Sequence, residues 1–105
     1  MTENSTTRKA LEGLRVIDAA SLAAAPLVAT YLAEFGAEVV KVEEPSGGDA
    51  LRAWGVRKND IGLMWKSVAR NKRPVTANLR TREGQELLKK LAAEADVIIF
   101  NTRPS

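Results

Sequence analysis

Apolar side chains in the first half of the chain fall into two short runs separated by a helical stripe. Residues 14–18 and 38–43 are rich in valine and isoleucine, as expected of strands that are covered on both faces. Residues 26–34 between them carry apolar side chains at helical spacing, and Gly36 follows where a helix would end. A strand, a helix and a strand of these lengths predict a βαβ unit with two parallel strands.

The second half of the chain repeats this order. Residues 74–79 have a β-like pattern, and residues 82–94 carry one apolar stripe that predicts a helix capped by Thr81. Residues 96–101 form a further apolar run typical of a buried strand. Alternating strands and helices predict an α/β fold with a mostly parallel sheet, flanking helices and right-handed crossovers.

The composition fits one small domain and removes several kinds of chemistry. The chain has 105 residues, of which 45% are hydrophobic, so it can bury a core. It has no cysteine and no histidine, which excludes thiol nucleophiles, thiolate metal sites and Ser-His pairs within it, and we expect no metal. The first residues are polar, and no apolar run approaches the roughly 20 residues that cross a bilayer. We therefore expect a cytoplasmic protein without a membrane partner.

Positive charge is concentrated in residues 52–73. The whole chain has a formal net charge of +3, whereas this stretch holds seven lysine and arginine residues and one aspartate, a net charge of +6. It shows only possible helical turns, around residues 61–69, and it contains Trp54 and Trp65. Such a stretch could bind a nucleotide or a nucleic acid, or it could be a solvated basic face above core tryptophans.

Candidate functional groups lie at the carboxyl ends of the first two predicted strands. The small side chains of residues 20–26 could let an anion approach the start of the helix, or could let that helix pack closely on the sheet. Asp18, Glu43 and Glu44 could act as a base or bind a ribose, although a strand-end aspartate more often caps a turn. Since no residue can be named that would orient these acids, we assign no catalytic residue within the chain.

Six segments of the chain match one known pattern in order and in register: residues 11–18, the Ala-Ala-Ala-Pro turn at 23–26, 35–43, 47–49, 70–73 and 95–101. Together they resemble the beginning of the class III CoA-transferases, the CaiB/BaiF family that includes formyl-CoA transferase and α-methylacyl-CoA racemase. The resemblance covers residues 11–105 and implies a longer natural protein with a Rossmann-like large domain that binds coenzyme A. Residues 1–10 would be a flexible tail, and residues 11–105 would be the amino-terminal part of that domain.

The resemblance also implies a reaction. A strand-end aspartate beyond residue 105 would take the acyl group from acyl-CoA as a mixed anhydride. The freed CoA thiolate would then form an enzyme thioester, from which CoA passes to the acceptor carboxylic acid. Two copies of the full-length protein would interlock as a homodimer.

Three alternatives stay open. The full-length protein could belong to the acyl-CoA racemase branch of the same family. The chain could instead be a non-enzymatic, Rossmann-like module that binds a nucleotide, or less readily a nucleic acid. It could also be a fragment that does not fold stably by itself.

The resemblance implies where coenzyme A is contacted. Glu44 stands where the family has an arginine, and a carboxylate would repel a phosphate there. We therefore expect Glu44 to pair with Arg52 or Lys41 instead. The implied contact positions are Ala23, Ala24, Glu44, Ala77, Asn78, Leu79, Arg80, Asn101, Thr102 and Arg103.

Neutralisation of the CoA phosphates would then fall to Arg73 or Arg80. On this basis we expect Arg73→Ala to weaken CoA binding by the full-length protein more than Arg15→Ala does. The family's Leu-Asp-Leu-Lys is Ala-Asn-Leu-Arg at residues 77–80, so the chain is a divergent example of the pattern.

Overall fold

The computed structural model describes residues 8–103 and begins with the expected βαβ unit. Strand β1 spans Arg15–Asp18, helix α1 spans Ala24–Glu34 and strand β2 spans Glu38–Glu43. The two strands pair in parallel, so the prediction for this half of the chain is confirmed. Helix α1 ends just before Gly36, whose φ of +107° lies in the left-handed region that favours glycine. Most of the tail predicted at residues 1–10 lies outside the described residues, as do residues 104–105.

A short irregular region follows β2. It contains a 3₁₀ helix at Ala50–Ala53, antiparallel strands β3 at Arg57–Lys58 and β4 at Ile61–Gly62, and helix α2 at Leu63–Val68. Asn59 and Asp60 turn the hairpin with φ values of +52° and +62°. Asparagine and aspartate tolerate such values better than most residues do, which explains a hairpin at this point. The helical signal around residues 61–69 corresponds to α2.

The last three elements complete the main sheet. Strand β5 spans Lys72–Thr76, helix α3 spans Arg82–Ala93 and strand β6 spans Val97–Ile99. The main sheet has four parallel strands in the order β5–β2–β1–β6. The prediction of a strand at residues 74–79 is wrong at both ends, because the ladder with β2 begins at the charged Lys72 and the chain turns away after Thr76.

Helices cover both faces of this sheet. Alternate residues of β1 face opposite sides, so that Val16 packs with Ala29 and Ala33 of α1, whereas Ile17 lies on the α3 side with Leu88. Burying one side chain of this size stabilises the fold by about 1.5–3 kcal/mol. The α/β fold with a parallel sheet and flanking helices is therefore confirmed. Of the helices within residues 8–103, none is both long and apolar enough to cross a membrane.

The strand order reverses at β1, since β2 and β5 lie on one side of it and β6 on the other. Ligands of open parallel sheets bind beyond the carboxyl ends of the strands near such a point. Here Asn101 and Ser21 close the space between β1 and β6. The Asn101 side chain accepts a hydrogen bond from the Ser21 N–H at 3.0 Å and donates one to the Ser21 carbonyl at 2.8 Å. Open space is therefore found on the β2 side of β1.

Candidate ligand-binding cleft

A cleft of about 540 Å³ opens beyond the carboxyl ends of β1, β2 and β5. Its volume lies within the range of about 300–1,000 Å³ that is typical of small-molecule sites. The turn after β1, the loop and 3₁₀ helix after β2, and the turn after β5 form its walls. The lining residues are Ala19, Ala20, Ser21, Val42, Glu43, Glu44, Ser46, Gly47, Gly48, Asp49, Ala50, Arg52, Ala53, Ala77, Asn78, Leu79 and Arg80.

Backbone N–H groups of the turn after β1 are already bonded within the protein. The Ala19 N–H donates to the Ile99 carbonyl at 3.0 Å, and the Ala20 N–H donates to Asp18 Oδ1 at 3.1 Å. The Ser21 N–H donates to Asn101 Oδ1 at 3.0 Å, and the Leu22 N–H donates to Asp49 Oδ1 at 2.9 Å. None of these four groups is free to bind an anion. An anion binding here would therefore contact the N–H groups at the start of α1, which begins at Ala24, rather than those of the preceding turn.

Leu22 lies in this turn with a φ of +67°. A non-glycine residue in this region is strained by roughly 1–3 kcal/mol and needs its surroundings to hold it there. The residue is 42% exposed, so apolar packing accounts for only part of that restraint. The hydrogen bond from its N–H to Asp49 is the contact that ties this residue across the cleft.

Four buried charges lie beneath the cleft. Lys41 Nζ lies 3.4 Å from Asp18 Oδ1 and 2.7 Å from Asp49 Oδ2, and it also donates to the Ala20 carbonyl. Lys72 Nζ lies 2.8 Å from Asp18 Oδ2. All four side chains are at most 2% exposed. Two ammonium groups and two carboxylates balance one another, as burial of charge in a protein requires.

The contacts of these groups displace two pKa values. Burial alone would raise the pKa of Asp49, but hydrogen bonds from the Leu51 N–H, Lys41 and the Leu22 N–H together outweigh it and hold this pKa below its ordinary value. Burial lowers the pKa of Lys72, and the bond to Asp18 offsets this only in part. Asp49 is thus held as a carboxylate by the groups that it joins.

Glu43 and Arg52 form a second ion pair on the wall of the cleft. Arg52 Nε and Nη2 donate to the two Glu43 oxygens at 2.7 and 2.8 Å, and its guanidinium lies 4.0 Å from the centre of the Trp65 ring. The bond from Arg52 holds the pKa of Glu43 below its ordinary value, despite the opposing effect of burial. The prediction that Glu44 pairs with Arg52 or Lys41 is wrong, because the preceding residue takes the arginine.

The turn after β5 forms the opposite wall. The Asn78 side-chain oxygen accepts a hydrogen bond from the Arg80 N–H at 3.1 Å, and the Asn78 backbone carbonyl accepts one from the Thr81 N–H at 3.0 Å. Thr81 caps α3 as predicted, with its hydroxyl oxygen accepting from the Gly84 N–H at 3.1 Å. These bonds fix the backbone and leave the Arg80 side chain exposed along the cleft.

Glu44 and Arg80 are two further charged residues of the cleft. Both residues are exposed and line it. Within residues 8–103, neither side chain forms an ion pair. A ligand entering the cleft therefore meets one free guanidinium, which attracts a phosphate, and one free carboxylate, which repels it.

The cleft gathers five of the eleven predicted CoA-contact residues, and the other six lie outside its lining. Those lining it are Glu44, Ala77, Asn78, Leu79 and Arg80. Ala23 and Ala24 lie at the start of α1, and Asn101 is bonded to Ser21 at the edge of the cleft. Thr102 and Arg103 are exposed after β6.

Arg73, which we expect to neutralise the CoA phosphates, does not line the cleft. Its side chain is 78% exposed and its Nη1 atom is 3.4 Å from Glu38, at the first residue of β2. Arg15 contacts the same carboxylate, with Nε at 3.7 Å. The expected difference between Arg73→Ala and Arg15→Ala in CoA binding therefore loses its geometric basis.

Residues 46–50 and Arg52 are cleft residues that the site prediction omits. The Gly-Gly-Asp segment at 47–49 was a sequence signal, because two glycines followed by an aspartate predict a tight loop and a cap. Lys41 within Val-Val-Lys-Val was a second signal, since a lysine inside a buried strand needs an acidic partner. Neither pattern indicates which residue Asp49 or Lys41 contacts in the folded chain.

Acidic side chains neutralise most of the basic stretch at residues 52–73. Four of its seven cations contact acids, and Trp65 packs against Arg52. This pairing weakens the main reason to expect a nucleic acid. The paired cations are Arg52 with Glu43, Arg70 with Glu34, Lys72 with Asp18, and Arg73 with Glu38.

Known proteins are similar to this chain in both sequence and fold. The family model described as CoA-transferase family III matches residues 11–105. The beta subunit of succinyl-CoA–L-malate CoA-transferase from Chloroflexus aurantiacus is 52% identical over 104 residues, which are 97% of this chain and 25% of that protein. Succinate–glutarate CoA-transferase from Agrobacterium fabrum is 39% identical over 108 residues, covering 96% of this chain and 27% of that protein.

Solved structures agree with this match. A CaiB/BaiF family protein from Brucella suis superposes with a TM-score of 0.83 at 40% identity, covering 91% of this chain and 26% of that one. Rv3272 from Mycobacterium tuberculosis gives a TM-score of 0.75 at 37% identity, covering 87% and 26%. The chain spans about a quarter of the length of the curated relatives that it matches.

Proposed function

The chain belongs to CoA-transferase family III, and from that membership we propose that it is the CoA-binding amino-terminal region of an enzyme that moves coenzyme A between carboxylic acids. The observation that carries this proposal is the match over residues 11–105, which includes every wall of a nucleotide-sized cleft. A parallel sheet with an open cleft beyond its strand ends is a frequent site for such ligands.

We place the phosphates of CoA beside Arg80. Its guanidinium is exposed on the cleft and forms no ion pair within residues 8–103, and a guanidinium can hold a phosphate through two parallel hydrogen bonds. The carboxylate of Glu44 disfavours the same group, so the phosphates lie on the β5 side of the cleft. Asn78 and the small Ala77 would contact the ligand between these two charges.

The chemistry itself is proposed to occur elsewhere in the full-length protein. Residues of this chain bind and orient CoA, and a strand-end aspartate beyond residue 105 attacks the acyl-CoA carbonyl to give a mixed anhydride and the CoA thiolate. The thiolate then forms an enzyme thioester and releases the first carboxylate. The acceptor carboxylate then attacks the enzyme thioester, which gives a second mixed anhydride and frees the CoA thiolate. The thiolate attacks the acyl group of the acceptor and so releases the new acyl-CoA and the aspartate. An interlocked homodimer and a cytoplasmic location complete this proposal.

Short dicarboxylates are the substrates to test first. The names of both relatives given above include succinyl-CoA or succinate, with malate or glutarate as the second acid. Since both are CoA-transferases, they favour CoA transfer over the racemase alternative. We propose succinyl-CoA as the donor and a dicarboxylate as the acceptor.

The decisive assay incubates the full-length protein with succinyl-CoA and either L-malate or glutarate. We expect malyl-CoA or glutaryl-CoA to form in step with loss of succinyl-CoA, as measured by liquid chromatography with mass detection. A parallel incubation with one epimer of a 2-methylacyl-CoA tests the alternative. Appearance of the other epimer without transfer to an acid would contradict the proposal and support a racemase.

A further inference from the structure

Asp49 joins three segments of the chain around the cleft. Its Oδ1 atom accepts two hydrogen bonds. One comes from the Leu51 N–H at 2.9 Å and caps the 3₁₀ helix that follows Asp49, and the other comes from the Leu22 N–H at 2.9 Å in the turn after β1. Its Oδ2 atom lies 2.7 Å from Nζ of Lys41 on β2. One side chain, 2% exposed, therefore connects two facing walls of the cleft to the sheet beneath them.

Leu22 shows what this connection holds in place. Its positive φ is unfavourable for leucine, and with 42% of the residue exposed, packing compensates only in part. The neighbouring Ala20 and Ser21 line the cleft. If the bond to Asp49 were lost, the turn could relax to a more favourable φ and carry these two residues with it.

The loop on the other side of the cleft depends on the same residue. The Asp49 N–H donates to Glu43 Oε1 at 2.8 Å, and Gly47 and Gly48 before it line the cleft. Gly48 has a φ of +75°, and a Cβ atom there would lie 2.8 Å from the Arg52 Nε atom. This loop is therefore packed tightly against the ion pair of Glu43, with Asp49 fixing its far end.

We propose that Asp49 is a positioning residue for the ligand, which holds the turn after β1 and the loop after β2 at the separation that the ligand requires. This inference rests on the proposed function, since it takes coenzyme A as the ligand of the cleft. Asp49 acts through Leu22 and Leu51, and it is not a catalytic residue. The acceptor oxygen does the positioning, whereas the negative charge serves to balance Lys41.

Two double variants of the full-length protein separate these two roles. Lys41→Met combined with Asp49→Asn removes both charges and leaves Asp18 paired with Lys72, while the asparagine oxygen can still accept both N–H bonds. Lys41→Met combined with Asp49→Ala has the same charge and loses the acceptor. Each is expected to fold, because neither leaves an unbalanced buried charge. Far-UV circular dichroism and thermal unfolding check this before binding is measured.

Calorimetric titration with CoA is the readout. We expect the variant with asparagine to bind CoA within about threefold of the unsubstituted protein, and the variant with alanine to bind it about tenfold or more weakly, since two hydrogen bonds to a positioned backbone are lost. With succinyl-CoA as substrate, KM should rise in the alanine variant and kcat should change little. Equal CoA affinity of the two folded double variants would overturn the positioning role.

Two further results keep the inference separate from the proposed function. The control Asp96→Asn alters a carboxylate that accepts the Arg15 N–H at 2.9 Å, also from a distant segment but at the amino end of β1. It should leave CoA affinity unchanged, and a loss as large as that of the alanine variant would overturn the positioning role.

Failure of the unsubstituted protein to bind CoA would instead overturn the proposed function, and the positioning role with it.

Discussion

The carboxyl and amino ends of the parallel sheet both carry ion pairs, but these pairs differ in burial. At the carboxyl ends, the side chains of Asp18 and Lys41 are at most 2% exposed. At the amino ends, Arg15 and Glu38 are 56% and 47% exposed. Water screens the second kind of pair and not the first, so the two have different consequences for stability. We therefore expect the geometry of the sheet to depend on charge at its cleft end and much less at its amino end.

Removing Asp18 should have the largest effect. Asp18→Ala leaves the ammonium groups of Lys41 and Lys72 buried with Asp49 as their remaining carboxylate. Breaking a buried pair in this way typically costs about 3–5 kcal/mol. Urea unfolding of the full-length protein measures this change. A loss below about 1 kcal/mol, the range of exposed pairs, would show that the buried charges do not hold this end of the sheet.

Gly84→Ala should also destabilise the cleft end, although alanine ordinarily improves a helix by about 1 kcal/mol. A Cβ atom at this position of α3 would overlap the carbonyl of Asn78 in the turn after β5. Since that contact is backbone and cannot rotate away, we expect a loss of about 1–3 kcal/mol. Thermal unfolding compares it with Lys89→Ala on the exposed face of the same helix. A variant more stable than the parent would mean that the helix and the turn are not in contact.

Acid should weaken the cleft end selectively. The pKa of Glu43 in the folded chain lies below its ordinary value of 4.5, and that of Asp49 lies below 3.8. Groups with a lowered folded pKa contribute stability that is fully present above their ordinary values and is lost as the pH falls through the folded values. Stability should therefore decline progressively below pH 4.5.

Glu43→Gln provides the comparison for this pH dependence. Melting temperatures measured from pH 7 to pH 3 should fall less steeply in the variant than in the parent, because the variant lacks one of the titrating carboxyls. Parallel curves for the two proteins would indicate that Glu43 does not titrate differently on folding.

The smallest effect is expected at the amino ends. Glu38→Ala removes a carboxylate that contacts Arg15 at 3.7 Å and Arg73 at 3.4 Å, all three side chains being about half exposed or more. Such pairs contribute between zero and about 1 kcal/mol, and salt reduces that further. Urea unfolding at low and high salt measures it. A loss comparable with that of Asp18→Ala would erase the distinction between the two ends.

Local pattern determined most of the fold. The apolar spacing of residues 26–34 and the cap at Thr81 are properties of single segments, and both helices form where the pattern indicates. Strand β5 shows the limit of this reasoning. Lys72 is charged, and its place in the ladder depends on a buried contact with Asp18, 54 residues away. No periodicity within the segment reveals such a partner.

The candidate site was predictable only in part. The resemblance implies CoA contacts at residues 77–80, and these residues line the cleft. Arg73 was predicted as an alternative phosphate ligand because of its charge. Its position in β5 places it beside Glu38 at the amino end of the sheet, away from the cleft. Asp49 was overlooked because its importance lies in contacts with Leu22 and Lys41, which only the folded chain brings together.

The most direct test of the central claim compares CoA binding by two arginine variants at opposite ends of strand β5. Calorimetric titration of the full-length protein should show that Arg80→Ala, at the carboxyl end, raises the Kd for CoA by about tenfold, the effect of losing one charged hydrogen bond. Arg73→Ala, at the amino end, should change it by less than about twofold. Equal effects, or a larger loss with Arg73→Ala, would contradict the claim that the cleft beyond β1, β2 and β5 holds the phosphates of coenzyme A.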